Sequence, residues 1–418
     1  MDADDVISSA RNGLSGRTPR IAPNPEAENP LKSVCFVVSS PYTLKSFLLD
    51  HIAGLSRVCR LTCVANWDDP AGLQQCGIDA PLVHVPIERP PSPGHDLRAL
   101  WTLQRYFRKK RFDVVHSFTP KAGLLAMTAA ALAGVPVRVH TFTGQVWVNR
   151  FGLQRIILKT FDKWLAAMAT HILVDSESQR AFLLREGVVR ASKSQVLGHG
   201  SISGVDVERF RPNMELGAQM RLSLNVPASA VAFLYLGRLK RDKGVLDLAL
   251  AFSQLARVHE GAYLLIAGPD EDHLEADIRQ ACGDYVSRIR LDGGYTDNPE
   301  QWIAACDVLC LPSYREGFGS AIIEAASAGL PALGSRIYGI TDAIDEGVTG
   351  LLHTPGDVSD LADKMRLLAE DKELRRSLGY AGRERAHRYY AKDAVTARLL
   401  EFYAQTLGTG VAAAVPSH

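Results

Sequence analysis

The chain has 418 residues, enough for two domains, and its 46% hydrophobic and 22% charged residues are typical of a folded protein with a sizeable core. Lys and Arg total 47 against 46 Asp and Glu, which argues against a protein that binds polyanions over its whole surface. The longest apolar runs fall short of the roughly 18 residues that span a bilayer, and the seven cysteines lie mostly in apolar runs, as reduced core thiols of a cytosolic protein do.

The N-terminal 20 residues, MDADDVISSARNGLSGRTPR, are acidic and then polar, without the apolar stretch of a signal peptide. We expect mobile tails over residues 1–30 and 409–418. From residue 33 onward, short β-branched runs alternate with amphipathic stretches such as 121–133 and 153–169. This alternation predicts βαβ units with a parallel sheet buried on both faces. The predicted strands cover residues 33–40, 57–66, 81–87, 112–118, 137–142, 171–176 and 194–200.

The pattern restarts after residues 200–213, GSISGVDVERFRPN, a polar and turn-rich stretch that we interpret as a domain linker. An almost continuous helical pattern covers residues 358–407, with an interruption near Tyr389. Strands are predicted over residues 231–237, 262–268, 288–294, 308–313 and 331–335.

The sequence therefore predicts an α/β protein with two Rossmann-like, doubly wound domains that face a cleft, and with ligands at the carboxyl ends of the strands. We place the N-terminal domain at residues 31–205 and the C-terminal domain at 206–390. A helix over 391–408 is expected to pack back on the N-terminal domain.

Two cations follow the first strand of the second half, in the segment LGRLKRDKGV. Arg238 comes directly after the strand, and Lys243 stands before Gly244, where a helix begins. A helix N-terminus supplies oriented N–H groups and a guanidinium supplies a planar fork, so this turn is suited to a diphosphate. A solvated basic turn without a ligand would have the same composition.

Two acids flank a glycine loop in the segment YREGFGSAIIEAASAGLP. Glu316 lies in the loop after a buried strand, and Glu324 lies about one turn into the next helix, for which Ser320 is a candidate cap. Gly317 and Gly319 let the backbone approach a ligand, and the acids can accept hydrogen bonds from ribose or sugar hydroxyls. Alternatively both acids only favour the helix dipole, which explains their position but not the glycines.

These segments resemble those of a known family. GRLKRDKGVLDLALAF, DVLCLPSYREGFGSAIIEAASAGLPALGS and DAIDEGVTGLL are similar to the signature blocks of retaining glycosyltransferases of family 4, which have the GT-B fold. GVDVERFRP is similar to the segment that enters their second domain. Glu316 and Glu324 match the two ends of the family's E-x7-E motif. The resemblance covers about residues 33–405.

The resemblance implies a role for each matched residue. Arg238 and Lys243 would hold the diphosphate of a nucleotide-sugar, and Glu324 would bind the nucleotide ribose. The C-terminal domain over 206–390 would therefore bind the nucleotide-sugar donor, and the N-terminal domain over 31–205 would bind the acceptor. Glu316 would contact the transferred sugar, together with the amides of the loop, which belong to Gly317, Phe318, Gly319 and Ser320. The expected reaction is a same-face transfer in which Glu316, Arg238 and Lys243 are catalytic. No cofactor and no metal are expected, because the two cations can replace a bridging ion. The expected donor is a UDP-hexose or UDP-N-acetylhexosamine.

The N-terminal half departs from the family pattern. Many relatives have a double glycine after the first strand, where this chain reads SSPYTLKSF. Many also place a histidine directly before a glycine after the fifth strand, where Thr143 precedes Gly144 and His140 stands three residues earlier. We regard His140, Thr143, Gly144 and His199 as candidate acceptor-side residues. For His140, the alternative is a strand histidine that is satisfied by a neighbour in the sheet.

Two segments of the N-terminal half combine cations with aromatic residues: LRALWTLQRYFRKKRF (97–112) and NRFGLQRIILKTFDKWLAAMA (149–169). Such segments suit an anionic bilayer surface, although the solvated face of an ordinary helix has the same composition. HTFTGQVW, KAGLLAM and GSRIYGITDAIDEG are similar to enzymes that build bacterial surface polysaccharides on polyprenyl-diphosphate carriers. The resemblance thus implies a cytoplasmic enzyme, peripheral at the inner face of the cytoplasmic membrane, that transfers a sugar to a polyprenyl-diphosphate-linked saccharide. No nucleic-acid partner is expected.

Three other functions remain open to test. A GT-B-fold sugar-nucleotide epimerase or hydrolase would use the same donor but give no enlarged acceptor. A non-catalytic scaffold would bind nucleotide without turnover, although the intact Arg238, Lys243, Glu316 and Glu324 argue against it. An NAD-dependent oxidoreductase would need a G-x-G-x-x-G turn after the first strand, where SSPYTLKS has no glycine.

Overall fold

A computed structural model describes residues 31–67, 77–88 and 92–408 of the chain. The two tails predicted over 1–30 and 409–418 lie outside the described residues. Within the described part, thirteen strands form two sheets, and every strand pair is parallel. The predicted α/β fold class is confirmed.

The first sheet has seven strands in the order β3-β2-β1-β4-β5-β6-β7. Its strands are apolar and β-branched, and β1 sits centrally, with Val34 opposite Leu61 on one side and Val114 on the other. The strands are β1 (Ser33–Val37), β2 (Arg60–Ala65), β3 (Leu82–His84), β4 (Val114–Ser117), β5 (Val137–Phe142), β6 (His171–Val174) and β7 (Ser194–Gln195).

The second sheet has six strands in the order β10-β9-β8-β11-β12-β13. The order reverses between β8 and β11, which is the topological switch point where doubly wound sheets bind ligands. The strands are β8 (Val231–Leu236), β9 (Ala262–Ala267), β10 (Ile289–Asp292), β11 (Val308–Leu311), β12 (Ala332–Ser335) and β13 (Gly350–His353).

Helices connect the strands and cover both faces of each sheet. In the first half they are α1 (Pro41–Thr43), which runs through one π-helical turn (Leu44–Leu48) into α2 (Leu49–Ser56), then α3 (Pro93–Lys110), α4 (Pro120–Leu132), α5 (Gly152–Met168) and α6 (Glu177–Arg185). In the second half they are α7 (Met214–Ser223), α8 (Val245–Val258), α9 (Glu275–Cys282), α10 (Pro299–Ala304), α11 (Ser320–Ser327), α12 (Ile340–Ala343), α13 (Val358–Glu370), α14 (Lys372–Tyr390) and α15 (Lys392–Leu407).

Alternate residues of each strand enter different cores, as the pleat requires. In β1, Cys35 and Val37 pack with α3, α4 and α5, whereas Val34 and Phe36 pack with α2 and α15. In β8, Phe233 packs with α8, α9 and α13, and Leu234 packs with α10, α11 and α12. Each sheet is therefore buried on both faces, which accounts for its nearly continuous apolar strands.

The last helix joins the first sheet rather than the second. Leu399, Leu400 and Phe402 of α15 are buried against β1 and α2, and the Tyr403 hydroxyl lies 2.8 Å from His116 Nδ1 in β4. Because α15 directly follows α14 of the second domain, the chain crosses between the domains twice. The other crossing follows β7, where Val205 pairs with Ala391 at the start of α15.

Several predicted element boundaries differ from the observed ones. The strand predicted over 194–200 ends at Gln195, because Gly198 and Gly200 adopt positive φ. The helical pattern over 358–407 breaks at Ala391 and also at Asp371, whose side chain accepts a hydrogen bond from Leu374 N and so caps α14. Strand β13 was not among the predicted strands.

Candidate functional site

The residues matched by the E-x7-E motif and the basic turn lie at the carboxyl ends of β8 and β11, at the switch point of the second sheet. Arg238 follows β8 and is 44% exposed. Its Nη1 lies 3.1 Å from Oε2 and 3.3 Å from Oε1 of Glu271, in the loop after β9. Partial burial raises the pKa of Glu271, but Arg238 and Lys240 together hold this pKa below its usual range. The guanidinium is therefore solvent-accessible and paired with an acid of the same chain.

Lys243 and Glu316 are brought together by a glycine. Gly244 has φ +67°, and a Cβ atom there would lie 2.0 Å from Pro312 O, so a larger residue would push the start of α8 away from the loop after β11. With this close approach, Lys243 Nζ lies 2.6 Å from Glu316 Oε1. Ser313 Oγ donates to the same oxygen at 2.8 Å. The pair is mostly buried, with each side chain about 15% exposed.

The glycine loop leads into α11 with Gly319, and not the expected Ser320, at the N-cap position. Gly319 occupies the N-cap position in the left-handed region (φ +84°), and Ser320 is the first helical residue and caps nothing with its side chain. Phe318 is buried against Tyr390, with ring centroids 5.2 Å apart, so only its backbone can contribute to a site. The N-terminal amides of α11 carry the partial positive charge of the helix end.

Glu324 lies in the middle of α11 and is partly exposed. Its surroundings desolvate the carboxyl and raise its pKa to about 7, an effect that Arg209 reduces and Glu300 strengthens. Arg209 itself is held by Glu300, with 2.7 Å between Nη2 and Oε2. Among the described residues, none donates a hydrogen bond to the Glu324 carboxylate, so its acceptor capacity is available to a ligand.

The first domain touches the glycine loop directly. A Cβ atom on Gly317 would lie 2.3 Å from Thr143 O and 2.8 Å from Asp175 Oδ2, and Gly144, with φ +123°, lies against the Gly317 amide. Ser176 Oγ donates to Gly317 O at 3.3 Å. Thr143 and Gly144 thus border the site through their backbone, and the loop that carries Glu316 is held from both domains.

The two candidate histidines are placed differently. The structure puts His140 in the core of the first sheet, where Ser117 Oγ lies 2.8 Å from its Nδ1 and burial lowers its pKa to about 3. Its side chain does not reach the cleft, which corrects its assignment to the acceptor side. His199 is exposed next to the interdomain crossing and packs on Tyr389, with ring centroids 4.0 Å apart.

Some residues of this region were not predicted. Asp175, at the carboxyl end of β6, is buried, its Oδ1 has no hydrogen-bond partner among the described residues, and burial raises its pKa to about 8. Ser178 at the start of α6 binds Asp342 across the interface and accepts from Gly339 N at 2.9 Å. The position of Asp175 directly after a strand of a parallel sheet was the available sequence signal.

An Asp-x-Asp sequence, Asp270 and Asp272, follows β9, and both carboxylates accept hydrogen bonds from backbone amides. Asp270 accepts from Leu274 N and Glu275 N at the start of α9, and Asp272 accepts from Arg241 N at 3.0 Å. Among the described residues no cluster of three or more His, Cys, Asp or Glu side chains is arranged to hold a metal ion.

Two family models match the chain. The model described as a glycosyl transferase 4-like domain matches residues 51–200, and the model described as glycosyl transferases group 1 matches residues 220–385. Together they cover the candidate site and every strand of the two sheets except β1.

Curated relatives match at 28–30% identity. A capsular polysaccharide biosynthesis glycosyltransferase, CapM of Staphylococcus aureus, is 28% identical over 78% of this chain and 85% of its own. A UDP-Gal:alpha-D-GlcNAc-diphosphoundecaprenol alpha-1,3-galactosyltransferase of Escherichia coli is 28% identical over 67% of this chain and 72% of its own. A D-inositol 3-phosphate glycosyltransferase of Saccharomonospora viridis is 30% identical over 73% of each chain.

Solved structures show the same architecture. Sucrose-phosphate synthase of Thermosynechococcus elongatus superposes with a TM-score of 0.73, at 20% identity, over 90% of this chain and 99% of its own. HepE of Anabaena, in complex with UDP and glucose, superposes with a TM-score of 0.72, at 20% identity, over 90% and 99%. At this identity the likeness shows the fold, which is the predicted GT-B arrangement of two Rossmann-like domains.

Proposed function

Because the chain belongs to the GT-B glycosyltransferases that join a glycosyl transferase 4-like domain to a group 1 glycosyl transferase domain, we propose that it is a retaining hexosyltransferase. Its donor is a UDP-hexose or UDP-N-acetylhexosamine, and its acceptor is a lipid-linked saccharide used in surface polysaccharide synthesis. The names of two relatives support this choice, since one acts in capsule synthesis and one transfers galactose from UDP-Gal to a diphosphoundecaprenol-linked sugar.

The observation that carries the proposal is the convergence of Arg238, Lys243 and Glu316 at the switch point of the second sheet. Arg238 is paired with the carboxylate of Glu271, and Lys243 with that of Glu316. A negatively charged group therefore already lies next to each cation. A diphosphate replaces a carboxylate well, because it offers more oxygens to the guanidinium fork and to the ammonium group. We assign the diphosphate to Arg238 and Lys243 and the uridine ribose to Glu324.

Glu316 and the amides of residues 317–320 are assigned to the transferred sugar. When the diphosphate takes Lys243, the carboxylate of Glu316 is freed to accept hydrogen bonds from sugar hydroxyls. Ser313 remains as its hydrogen-bond donor at 2.8 Å and fixes its orientation. The loop is further held by Thr143 and Asp175 of the first domain, which lie within van der Waals distance of Gly317.

In the proposed reaction the bond between the sugar anomeric carbon and the diphosphate oxygen breaks, and its electron pair stays on the diphosphate. The acceptor hydroxyl forms the new bond on the same face of the sugar, and its proton passes to the departing phosphate oxygen. Arg238 and Lys243 stabilise the negative charge that develops on the diphosphate, which is the electrostatic contribution that usually lowers such a barrier most. The step uses no protein nucleophile and no metal ion.

We further place the enzyme at the inner face of the cytoplasmic membrane, where a polyprenyl-diphosphate-linked acceptor is held. Among the described helices, none is both long and apolar enough to cross a bilayer. We propose that the protein attaches to the membrane through the surface of its first domain.

Two measurements test this function. Thermal shift with UDP-, GDP- and ADP-sugars should show the largest stabilisation with one UDP-sugar, because ligand binding stabilises the fold logarithmically in ligand over Kd. Mass spectrometry of a reaction with that donor and a lipid-linked saccharide should show an acceptor enlarged by one sugar. Free sugar with an unchanged acceptor would indicate a hydrolase, an altered nucleotide-sugar would indicate an epimerase, and binding without turnover would indicate a scaffold; each result would refute the transferase.

A further inference from the structure

Helix α5 presents a stripe of large apolar side chains to solvent. Phe151, directly before the helix, is 87% exposed and Leu153 is 71% exposed, although both are residues that folded proteins usually bury. We call this stripe the α5 face; it comprises Phe151, Leu153, Ile156, Ile157, Phe161 and Trp164. A contiguous apolar surface of this kind on a folded protein indicates an interaction site.

The cations of α5 do not share this face equally. Arg155 and Lys159 both bind Glu186, at 3.2 Å and 2.6 Å, and both lie over the ring of buried Trp147 at about 5.5 Å. Arg150 and Lys163, the other two cations of residues 149–169, are exposed. The sequence predicts a mixed basic and aromatic helix. In the structure, two of its four cations are held by Glu186 and only partly exposed, and large apolar side chains form much of the exposed side of the helix.

The part of the chain that carries the α5 face is rich in cations and poor in acids. Residues 97–170 contain twelve Lys and Arg but only two acids, Asp113 and Asp162. Asp162 is buried and accepts from Trp147 Nε1, and Asp113 binds Ser33 at the opposite, amino-terminal edge of the sheet. Acids that reach this region from neighbouring elements are paired as well: Glu186 with α5, and Asp96 with Lys121.

Helix α4 packs against both α3 and α5, so these three helices lie side by side on one face of the first sheet. Arg105, Arg108 and Lys109 of α3 are exposed, and so are its apolar residues Leu97 and Trp101. These helices therefore combine exposed apolar side chains with cations that form no ion pair within the described part of the chain.

We propose that the α5 face inserts into the headgroup region of an anionic lipid bilayer, with the flanking cations on the lipid phosphates. This inference deepens the proposed function, on which it rests for a lipid-linked acceptor. Apolar side chains with surrounding cations match the chemistry of an anionic bilayer interface. A second copy of the chain fits less well, because pairing of two α5 faces would bring the same cations together without acids to neutralise them.

Insertion of the α5 face also places the bilayer next to the cleft. Phe151 ends the loop that begins at Thr143 and Gly144, and Gly144 contacts the Gly317 loop of the second domain. A saccharide carried on a lipid diphosphate can therefore enter the site along the side of the first domain, from the surface in which its lipid remains.

The test is cosedimentation of the full chain with phosphatidylcholine vesicles that contain phosphatidylserine. The double variant Leu153→Gln, Ile156→Gln should bind these vesicles roughly tenfold more weakly per residue replaced, because burial of one aliphatic side chain is worth about that factor. The matched control is Leu222→Gln, in which an 80% exposed leucine of α7 in the second domain is replaced. It should bind vesicles like the wild type.

The salt dependence of vesicle binding distinguishes the contribution of the cations from that of apolar insertion. The double variant Arg108→Gln, Lys109→Gln should lose binding at low ionic strength, whereas the neutral change in the α5 face should reduce binding at low and high salt alike. Tryptophan fluorescence of the chain should shift to the blue on vesicle binding, and this shift should be smaller in Trp164→Phe. Equal vesicle binding by wild type and by Leu153→Gln, Ile156→Gln would overturn the inference, as would a change from dimer to monomer in that variant with vesicle binding unchanged.

Donor binding separates this inference from the proposed function. The α5 variants should keep the wild-type thermal shift with the preferred UDP-sugar, because the substituted residues lie outside the second domain. If vesicle binding depends on the α5 face but the protein binds no nucleotide-sugar, the proposed membrane-binding role of this face is supported and the proposed glycosyltransferase function is overturned. Transfer to a lipid-linked acceptor by a protein that does not bind vesicles would overturn the surface alone.

Discussion

Replacement of Glu271 by Gln is expected to strengthen UDP binding about two- to fivefold. In the free protein, Arg238 Nη1 lies 3.1 Å and 3.3 Å from the two carboxylate oxygens of Glu271, and Lys240 Nζ lies 3.3 Å from one of them. This carboxylate occupies the guanidinium that we assign to the diphosphate. The diphosphate must displace it, so the binding free energy is reduced by the free energy of the existing ion pair.

The magnitude follows from exposure. Arg238 is 44% and Glu271 33% exposed, so solvent screens the pair and its free energy is about 0.5–1 kcal/mol. Since about 1.4 kcal/mol corresponds to a tenfold change in affinity, the expected gain is about two- to fivefold. The assay is isothermal titration of UDP at fixed ionic strength. Glu275→Gln is the control, because it removes a nearby, more exposed carboxylate that pairs with Arg279 instead. Unchanged or weaker UDP binding by Glu271→Gln, with the control at the wild-type value, would refute the reasoning.

Three further substitutions have defined outcomes. Desolvation raises the pKa of Glu324 from 4.5 to about 7, so between these pH values the folded state keeps a proton that the unfolded state loses. The free energy of unfolding therefore falls as pH rises from 4.5 to about 7. Glu324→Gln should remove about 1–3 kcal/mol of the difference between unfolding free energies measured by urea titration at pH 5 and pH 8. Gly317→Ala should lower Tm and the transfer rate, because its Cβ would lie 2.3 Å from Thr143 O. Tyr403→Phe should cost about 1–3 kcal/mol of unfolding free energy, because it leaves buried His116 Nδ1 without its partner.

Each of these substitutions has a control in the same chain. Gly94→Ala should leave Tm unchanged or slightly raised, since no atom lies within 4 Å of the added Cβ. Tyr380→Phe, at a 70% exposed tyrosine, should change the unfolding free energy by less than about 0.5 kcal/mol. Asp175, with a pKa near 8, should retain part of the pH dependence when Glu324 is replaced. A pH profile identical to wild type in Glu324→Gln, or equal losses in a variant and its control, would contradict the assigned cause.

The order of strands and helices could be predicted because sheets buried on both faces require apolar β-branched strands, and these alternate visibly with amphipathic segments. Errors occurred where backbone conformation or capping overrode hydrophobicity. Residues 194–200 are apolar enough for a strand, but positive φ at Gly198 and Gly200 ends it after Gln195. Strand β13 is only four residues long, begins with Gly350 and follows a turn, so its local pattern is weak.

The site could be predicted where its residues are close in sequence. Glu316, Gly317 and Glu324 lie in one strand-loop-helix unit, and the spacing fixes their relation to the helix start. The residues that contact the site from other loops could not be predicted in this way. Glu271, which pairs with Arg238, is 33 residues away from it, and Asp175, which lies next to Gly317, is far from it in sequence. Only the tertiary packing of parallel strands brings such residues to one edge.

The contacts around Gly317 connect donor position to domain arrangement. Glu316 can orient a sugar only if the adjacent backbone is fixed, and on one side that backbone rests on Thr143 O and Asp175 of the first domain. On the other side Gly339 lies against Gly317 O, and the Gly339 amide is bound by Ser178 of the first domain. A shift of one domain relative to the other therefore moves the surroundings of Glu316 and the acceptor-side loop together. Because a misplacement of about 1 Å between reacting groups can cost a large factor in rate, we infer that these contacts, and not the exposed ion pairs, determine how fast the proposed transfer runs.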